Sequence, residues 1–375
     1  MKNSLLRILK NLIVSLNDNS PTTWDLAIPL IKACCSPQSE YYAMLSEDGY
    51  ELWLALLQFY PINHNDGAED AMIQSLLELY INALMNQTEI LPLILEILRS
   101  YTLLVPGLVV ADNTRDFIRG SFKILTKYIG NMRDDSLDIL ISDLEITIME
   151  SYHDLNQFEK LLSLLMESGL LPKIISMILD DEQSPITVGK LLLIIARIAY
   201  IEPSNLIQAI HYIYPDETQF TTNLKKFTTV WYARMDSNIG NPRSRKIHTL
   251  GLTSILRTGQ VIFFQDMSTL ISLWISSLEE IVETNGDCEK YHSNFMYEFH
   301  YNDDFTIQEN GEYLRFQKLM KEVDPVHNLI LKDYLKDTMR LVKETIGEAN
   351  FTALMGNLDK NLVENFEYFL YQINN

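Results

Sequence analysis

Glycine and proline are scarce here, 14 and 12 among 375 residues. So few turn-formers leave little room for the many tight turns of a β-sandwich or barrel, and the abundance of leucine and isoleucine favours helices. Only three cysteines occur: Cys34, Cys35 and Cys288. Two are adjacent and the count is odd, so no disulfide framework is implied and a reducing compartment is expected. Positive charge is also in deficit. Thirty Lys and Arg stand against 50 Asp and Glu, a formal net charge of −20. An acidic surface repels phosphates, which argues against direct nucleic-acid binding and suits basic partners, although acidity also serves plain solubility. No apolar run approaches the roughly 18 residues that span a bilayer. The longest, at 191–201, is interrupted by Arg197. The start, MKNSLLRILKNLIVSLN, is amphipathic and lacks the continuous apolar core of a signal peptide. A soluble, intracellular chain without membrane contact is the expectation.

Chemistry is lacking at the level of motifs. GxGxxG, a P-loop, GxSxG and HExxH do not occur. Cys288, His292, His300 and Asp303 lie close in sequence, but their spacing matches neither CxxC nor HxxxH, whereas a zinc site normally shows two tight ligand pairs. They read as part of an ordinary loop. An enzyme is therefore disfavoured, and no catalytic residue, metal or cofactor is expected.

Helical periodicity is what the chain does have. Residues 217–259 set the pattern: two helices and a turn. Phe220, Leu224, Phe227 and Trp231 recur at three- or four-residue intervals and share a face. Gly240 is free to take the positive φ that stops a helix. Asn241 then serves as N-cap and Pro242 as first helical residue, where a missing N–H costs nothing. Ile247, Leu250, Gly251, Ser254 and Ile255 form the next face, and Gly259 stands where a C′ glycine belongs. Gly251 and Ser254 are small enough for a neighbouring helix to approach closely. Leu252 and Leu256 are left as a second apolar edge, so the pair needs further pairs beside it. That is the logic of a stacked helical solenoid.

The same reading runs along the chain. Helices are expected at 4–16, from Ser20-Pro21 to about 35 with a disturbance at Pro29, at 46–61, about 69–85, and from 88 to the break at Pro106-Gly107. More follow at 116–130, 134–151, 155–168 and 171–179, with Gly169 as a C′ residue between the last two. Residues 185–200 are apolar nearly all round, as in a helix covered on several sides. Helices at 204–214 and 266–284 follow. Residues 285–311 lack periodicity and read as an acidic loop. A long helix from Asp324-Pro325 to about 346, ended by Gly347, and two capping helices at 349–355 and 359–369 complete the chain. No Gly-Ser or Pro-rich linker divides it. The fold expected is all-α, a HEAT-repeat-like α-solenoid in one continuous array over 1–375, with about eight or nine helix pairs if each repeat takes roughly 40–47 residues.

Charge is patterned along this array. Residues 134–159 contain eight acids and no Lys or Arg; residues 278–312 contain ten acids against Lys290. Residues 217–260 contain seven cations against Glu217 and Asp236. On the 134–151 helix, Asp134, Asp138 and Glu145 share the face opposite Leu137, Leu140, Leu144 and Ile148 and are expected to be solvated. That face reads either as a soluble exterior or as an acidic wall for a basic partner. Asp134, Asp138, Glu145, Glu279, Glu280 and Glu283 are the candidate partner-binding residues. The basic pair at 217–260 is expected to meet the acidic stretch at 278–312 in cis or, as the alternative, an acidic partner.

Three stretches carry a resemblance. The C-terminal block is Asp324-Pro325-Val326-His327-Asn328-Leu329-Ile330-Leu331-Lys332 followed by Gly347-Glu348-Ala349-Asn350-Phe351-Thr352-Ala353-Leu354-Met355. Glu47-Asp48-Gly49-Tyr50-Glu51-Leu52-Trp53-Leu54 and Arg243-Ser244-Arg245-Lys246-Ile247-His248-Thr249-Leu250-Gly251-Leu252 are the others. Together they resemble importin-beta-family karyopherins of the importin eleven type, in particular the fungal members. The resemblance implies roughly the C-terminal third of a HEAT-repeat nuclear transport receptor. It implies protein cargo of basic character, Ran GTPase bound through an N-terminal region not represented here, nucleoporins as further partners, and shuttling between nucleus and cytoplasm across the nuclear envelope. A HEAT scaffold of another complex, of phosphatase or vesicle-coat type, is the alternative.

Overall fold

Residues 2–62, 71, 73–105, 107–285 and 310–371 are described by the computed structural model. Helices and their connections account for all of them, and no strand occurs among the described residues. The helices fall where apolar stripes and caps direct. Asp154, Asp216 and Asn241 each accept from backbone N–H groups of the first turn they cap. Gly169 and Gly259 end their helices at φ 80° and 69°, the left-handed conformation expected of them.

The chain divides into two compact units, each drawn from two stretches. Unit 1 comprises Met1–Leu170 and Glu298–Met320; unit 2 comprises Leu171–Tyr297 and Lys321–Asn375. In unit 1 the helices are α1 (Lys2–Leu16), α2 (Trp24–Cys35), α3 (Tyr42–Gln58), α4 (Leu77–Asn86), α5 (Leu91–Leu104), α6 (Arg115–Tyr128), α7 (Asp134–Glu150) and α8 (Leu155–Glu167). They form two rows. One row stacks α3 on α5 and α5 on α7; the other stacks α2, α4, α6 and α8 in that order. Successive members of a row start about 40–50 residues apart in sequence, the period of HEAT-like pairs. α15 (Gly311–Glu322) belongs to this unit through Met320.

Unit 2 holds α9 (Leu170–Ile178, from Leu171), α10 (Pro185–Ile201), α11 (Pro203–Ile213), α12 (Glu217–Ser237), α13 (Pro242–Ile255) and α14 (Met267–Asn285). It continues with α16 (Pro325–Asn328), α17 (Leu331–Ile346), α18 (Glu348–Gly356) and α19 (Lys360–Tyr371). Its centre is the crossing of α10 and α13. A Cβ on Gly251 would lie 2.7 Å from the carbonyl oxygen of Ala196 and 2.8 Å from its Cα, so the close approach expected at Gly251 is real. α13 is ringed by α10, α11, α14, α16 and α17, which is why Leu252 and Leu256 are also buried. At the end of the chain Phe366 of α19 meets Trp274 of α14, ring centroids 5.3 Å apart. All four tryptophans are buried. The architecture is all-α, of the helical-solenoid class.

Several local expectations are corrected. Gly240 does not take a positive φ. α12 ends because the N–H groups of Asn238 and Ile239 both turn back to the Arg234 carbonyl, at 2.9 and 3.2 Å, and Pro242 then holds Asn241 extended. Pro21 opens no α-helix; it lies in a 3₁₀ segment, Asn17–Thr23, tied down by Ser20 Oγ donating to the Phe59 carbonyl at 2.7 Å. On α1, Leu6, Leu9 and Ile13 are buried, whereas Leu5 and Leu12 are exposed. The long helix from 325 to 346 is broken after Asn328. Lys246 Nζ donates to the carbonyls of Val326 (2.7 Å) and Leu329 (2.5 Å), acceptors that a continuous helix would have used internally. α15 answers to no helix expected from periodicity. The quartet Cys288, His292, His300 and Asp303, and most of the acidic loop, fall outside the described residues.

Candidate interaction site

Of the six candidate partner-binding acids, three lie on α7 of unit 1 and three on α14 of unit 2. Asp134 is exposed and Asp138 half-buried, both near the start of α7. Glu145 is 1% exposed, and the solvated face expected of it is absent. From Ser136 onward α7 is buried nearly all round, with α5 packed along it, so its carboxylates within reach of solvent are those near its start. Glu279 and Glu283 are exposed on α14. Glu280 is half-buried and is paired with Arg245 at 3.1 Å. That pair is the cis contact between the basic helix pair and the acidic stretch.

Two buried polar clusters escaped sequence reading. The first lies in unit 1. Glu96, Arg99 and Ser100 recur at i, i+3 and i+4 on α5 and so share one face, buried to 6%, 2% and 0% exposure. Glu312 of α15 accepts from Ser100 Oγ at 2.8 Å and lies 3.7 Å from Arg99 Nε, while Glu96 lies 3.9 Å from Arg99 Nη2. Burial pushes the Glu96 carboxyl up to about 7; Arg99 draws it back and Glu312 adds to the push. On α7, burial raises Asp143 to about 7 against the pull of the Thr102 hydroxyl (3.0 Å) and Arg99. Burial likewise lifts Glu150 to about 8, with the Gly107 N–H acting against it. The available signal was a charged pair inside the apolar run 91–104.

The second cluster lies in unit 2. Arg197 of α10 and Arg243 of α13 donate to the two carboxylate oxygens of Asp324 at 3.3 and 3.2 Å. Burial alone would raise Asp324, yet the two guanidinium groups and the Val326 N–H hold it at about 2. Burial drops Lys246 to about 7, with Asp324 opposing. His248 accepts from Trp231 Nε1 at 2.9 Å through Nδ1; burial, and then Arg197, lower it to about 3, so the ring is neutral with its proton on Nε2. Two of the stretches that carried the resemblance therefore meet here, 243–252 and 324–332. The third, 47–54, sits on α3, where Gly49 lets α2 approach so closely that a Cβ would lie 2.7 Å from Cys34 Cβ, and where Trp53 donates to Tyr101 OH at 3.1 Å. These stretches are joints of the fold. Neither cluster sets a nucleophile against a base, and among the described residues no three metal-ligating side chains gather.

Comparison with known proteins gives these joints a family. The model described as "Importin-11-like, TPR repeats" matches residues 3–371. The chain belongs to the importin-11-like family. Among curated members, the importin beta-like protein KAP120 of Saccharomyces cerevisiae is 34% identical over 99% of this chain and 37% of its own length. Importin-11 of Homo sapiens is 21% identical over 98% of this chain and 36% of its own. A solved structure, Lph2, titled a novel bidirectional nuclear transport receptor of S. cerevisiae, superposes with a TM-score of 0.82 at 32% identity, over 99% of this chain and 38% of that one. This importin-11-like chain thus spans little more than a third of the relatives it matches. These relatives are named as importins or as a nuclear transport receptor, not as enzymes.

Proposed function

We propose that this importin-11-like chain is the C-terminal helical-repeat portion of a nuclear transport receptor that binds protein cargo without chemistry. The observation that carries the reading is the match over 99% of the chain, in sequence and in fold, to a protein titled a nuclear transport receptor. The cargo is basic. A net charge of −20 draws cationic partners, and Asp134, Asp138, Glu279 and Glu283 are carboxylates within reach of solvent. Glu280, committed in part to Arg245, contributes less, and Glu145 not at all. Both units belong to one array of repeats in this reading. Ran GTPase acts through the remainder of the longer receptor and nucleoporins admit it to the pore, so that it shuttles between nucleus and cytoplasm. Carriage in both directions is carried over from Lph2, which is described as bidirectional.

Stacked repeats suit this task because each interface yields a little and small rotations add along the row. The test is binding of a purified core histone, as a basic probe, to the chain. Affinity should fall steeply between about 0.05 and about 0.5 M salt, as screened charges do. An affinity indifferent to salt would remove the electrostatic part of the proposal.

A further inference from the structure

α5 is enclosed on three sides, by α3, α7 and α4. Its remaining face is the polar stripe of Glu96, Arg99 and Ser100. A polar stripe on a stacked helix ordinarily faces water or a partner, yet this one is buried, and its cover is α15, more than two hundred residues away in sequence. The cover is held at two points one helical turn apart. Glu312 is received by Ser100 and Arg99, and its residue is 0% exposed. Arg315 donates to the carbonyls of Tyr60 (2.9 Å) and Leu57 (3.3 Å), where α3 ends, and its guanidinium stands 5.9 Å from the centre of the Tyr60 ring. A cation at the carbonyl end of a helix is favoured by the helix dipole. Gly311 backs against the Tyr60 carbonyl so closely that no side chain fits there.

We propose that the face of α5 together with the C-terminal end of α3 is a docking site for a helix bearing glutamate and arginine one turn apart, and that α15 is its resident occupant, exchangeable for a partner helix of the same pattern. The two-point fit is what recognition of a separate helix would use: a carboxylate for Arg99 and Ser100, a guanidinium for the free end of α3. The fit is also polar. The buried apolar side chains of α15 are Phe316 and Met320, with Tyr313, Leu314 and Leu319 half-buried, whereas most of α5 is fully buried. Arg99 serves two carboxylates at once, Glu96 and Glu312, and Glu312 adds a smaller push to the one that burial exerts on Glu96. A helix held by directional polar ties and with less apolar anchorage than the rows beneath it opens locally at lower cost than they do. This inference does not depend on which cargo the receptor carries.

Hydrogen exchange on the intact chain tests it directly. Amides of α15 should exchange at least about tenfold faster than those of α3 and α5, by opening alone; exchange in step with α5 would overturn the proposal. The second arm uses a fluorescent peptide spanning Gly311–Glu322. It should bind a folded Glu312→Gln/Arg315→Ala chain at least about tenfold more tightly than the unaltered chain, whose site is filled. The same two substitutions in the peptide should abolish that binding. A peptide that binds neither chain, or binds equally well in altered form, refutes the site.

Discussion

Replacing Gly251 with alanine separates close helix packing from every other property of unit 2. The new Cβ would stand 2.7 Å from Ala196 O, 2.8 Å from its Cα and 3.1 Å from its carbonyl carbon. All three are backbone atoms of α10, so no side-chain rotation relieves the contact. α10 and α13 must part, and α13 is held by helices on its other sides. Overpacking of a core costs about 1–3 kcal/mol, and contact with backbone belongs at the upper end. Alanine returns about 1 kcal/mol through its better helix propensity. The expected net loss is therefore about 2 kcal/mol, a fall in Tm of roughly 4–8 °C for a unit of this size. Thermal unfolding followed by far-UV circular dichroism measures it. Gly240→Ala is the control, because nothing lies within 4 Å of its Cβ position and its φ is ordinary. Should Gly251→Ala melt at or above the parent, as Gly240→Ala is expected to, the helix crossing does not have the closeness assigned to it.

Other perturbations have signed outcomes. Asp324→Asn leaves Arg197 and Arg243 buried without their counter-charge and should cost about 3–5 kcal/mol in denaturant titration. Because Asp324 is held below its ordinary value, at about 2, its contribution is complete above the unfolded carboxyl's range and should be lost as pH falls from about 4 towards 2. Glu96, Asp143 and Glu150 are shifted the other way, to about 7, 7 and 8. Between about pH 5 and 8 the folded state holds protons that the unfolded state has released, so stability should fall as pH rises through that window, and Glu96→Gln should flatten the slope. Arg245→Ala removes a mostly buried pair with Glu280 together with hydrogen bonds to the Ile239 carbonyl and Ser276 Oγ, and should cost about 1–3 kcal/mol, with a shallow dependence on salt.

What could be read from the sequence, and what could not, divides along one physical line. Features set within a few residues were legible: the Asn241 cap with Pro242 behind it, the left-handed glycines at 169 and 259, the Phe227 and Trp231 stripe, and the room left by Gly251 for a neighbour. Features set by partners distant in the chain were not. Glu145 looked solvated because one helix was considered alone, while in the stack α7 is covered on nearly all sides. The break after Asn328 depends on Lys246, some eighty residues earlier, taking the carbonyls a longer helix would need. α15 buries Phe316 and Met320 but is placed by polar contacts to Ser100, Arg99 and the end of α3, and polar contacts leave no periodic signature. The family-bearing stretches were legible as patterns, but their meeting at Asp324 was visible only in the fold.

The central claim, that this importin-11-like chain offers solvent-facing carboxylates to basic cargo, is tested most directly by titrating the core histone into the chain and into a variant with Asp134, Asp138, Glu279 and Glu283 changed to the corresponding amides. The account predicts at least about tenfold weaker binding by the variant at low salt, with the difference shrinking as salt is added. Equal affinities of the two chains across the salt range would contradict it.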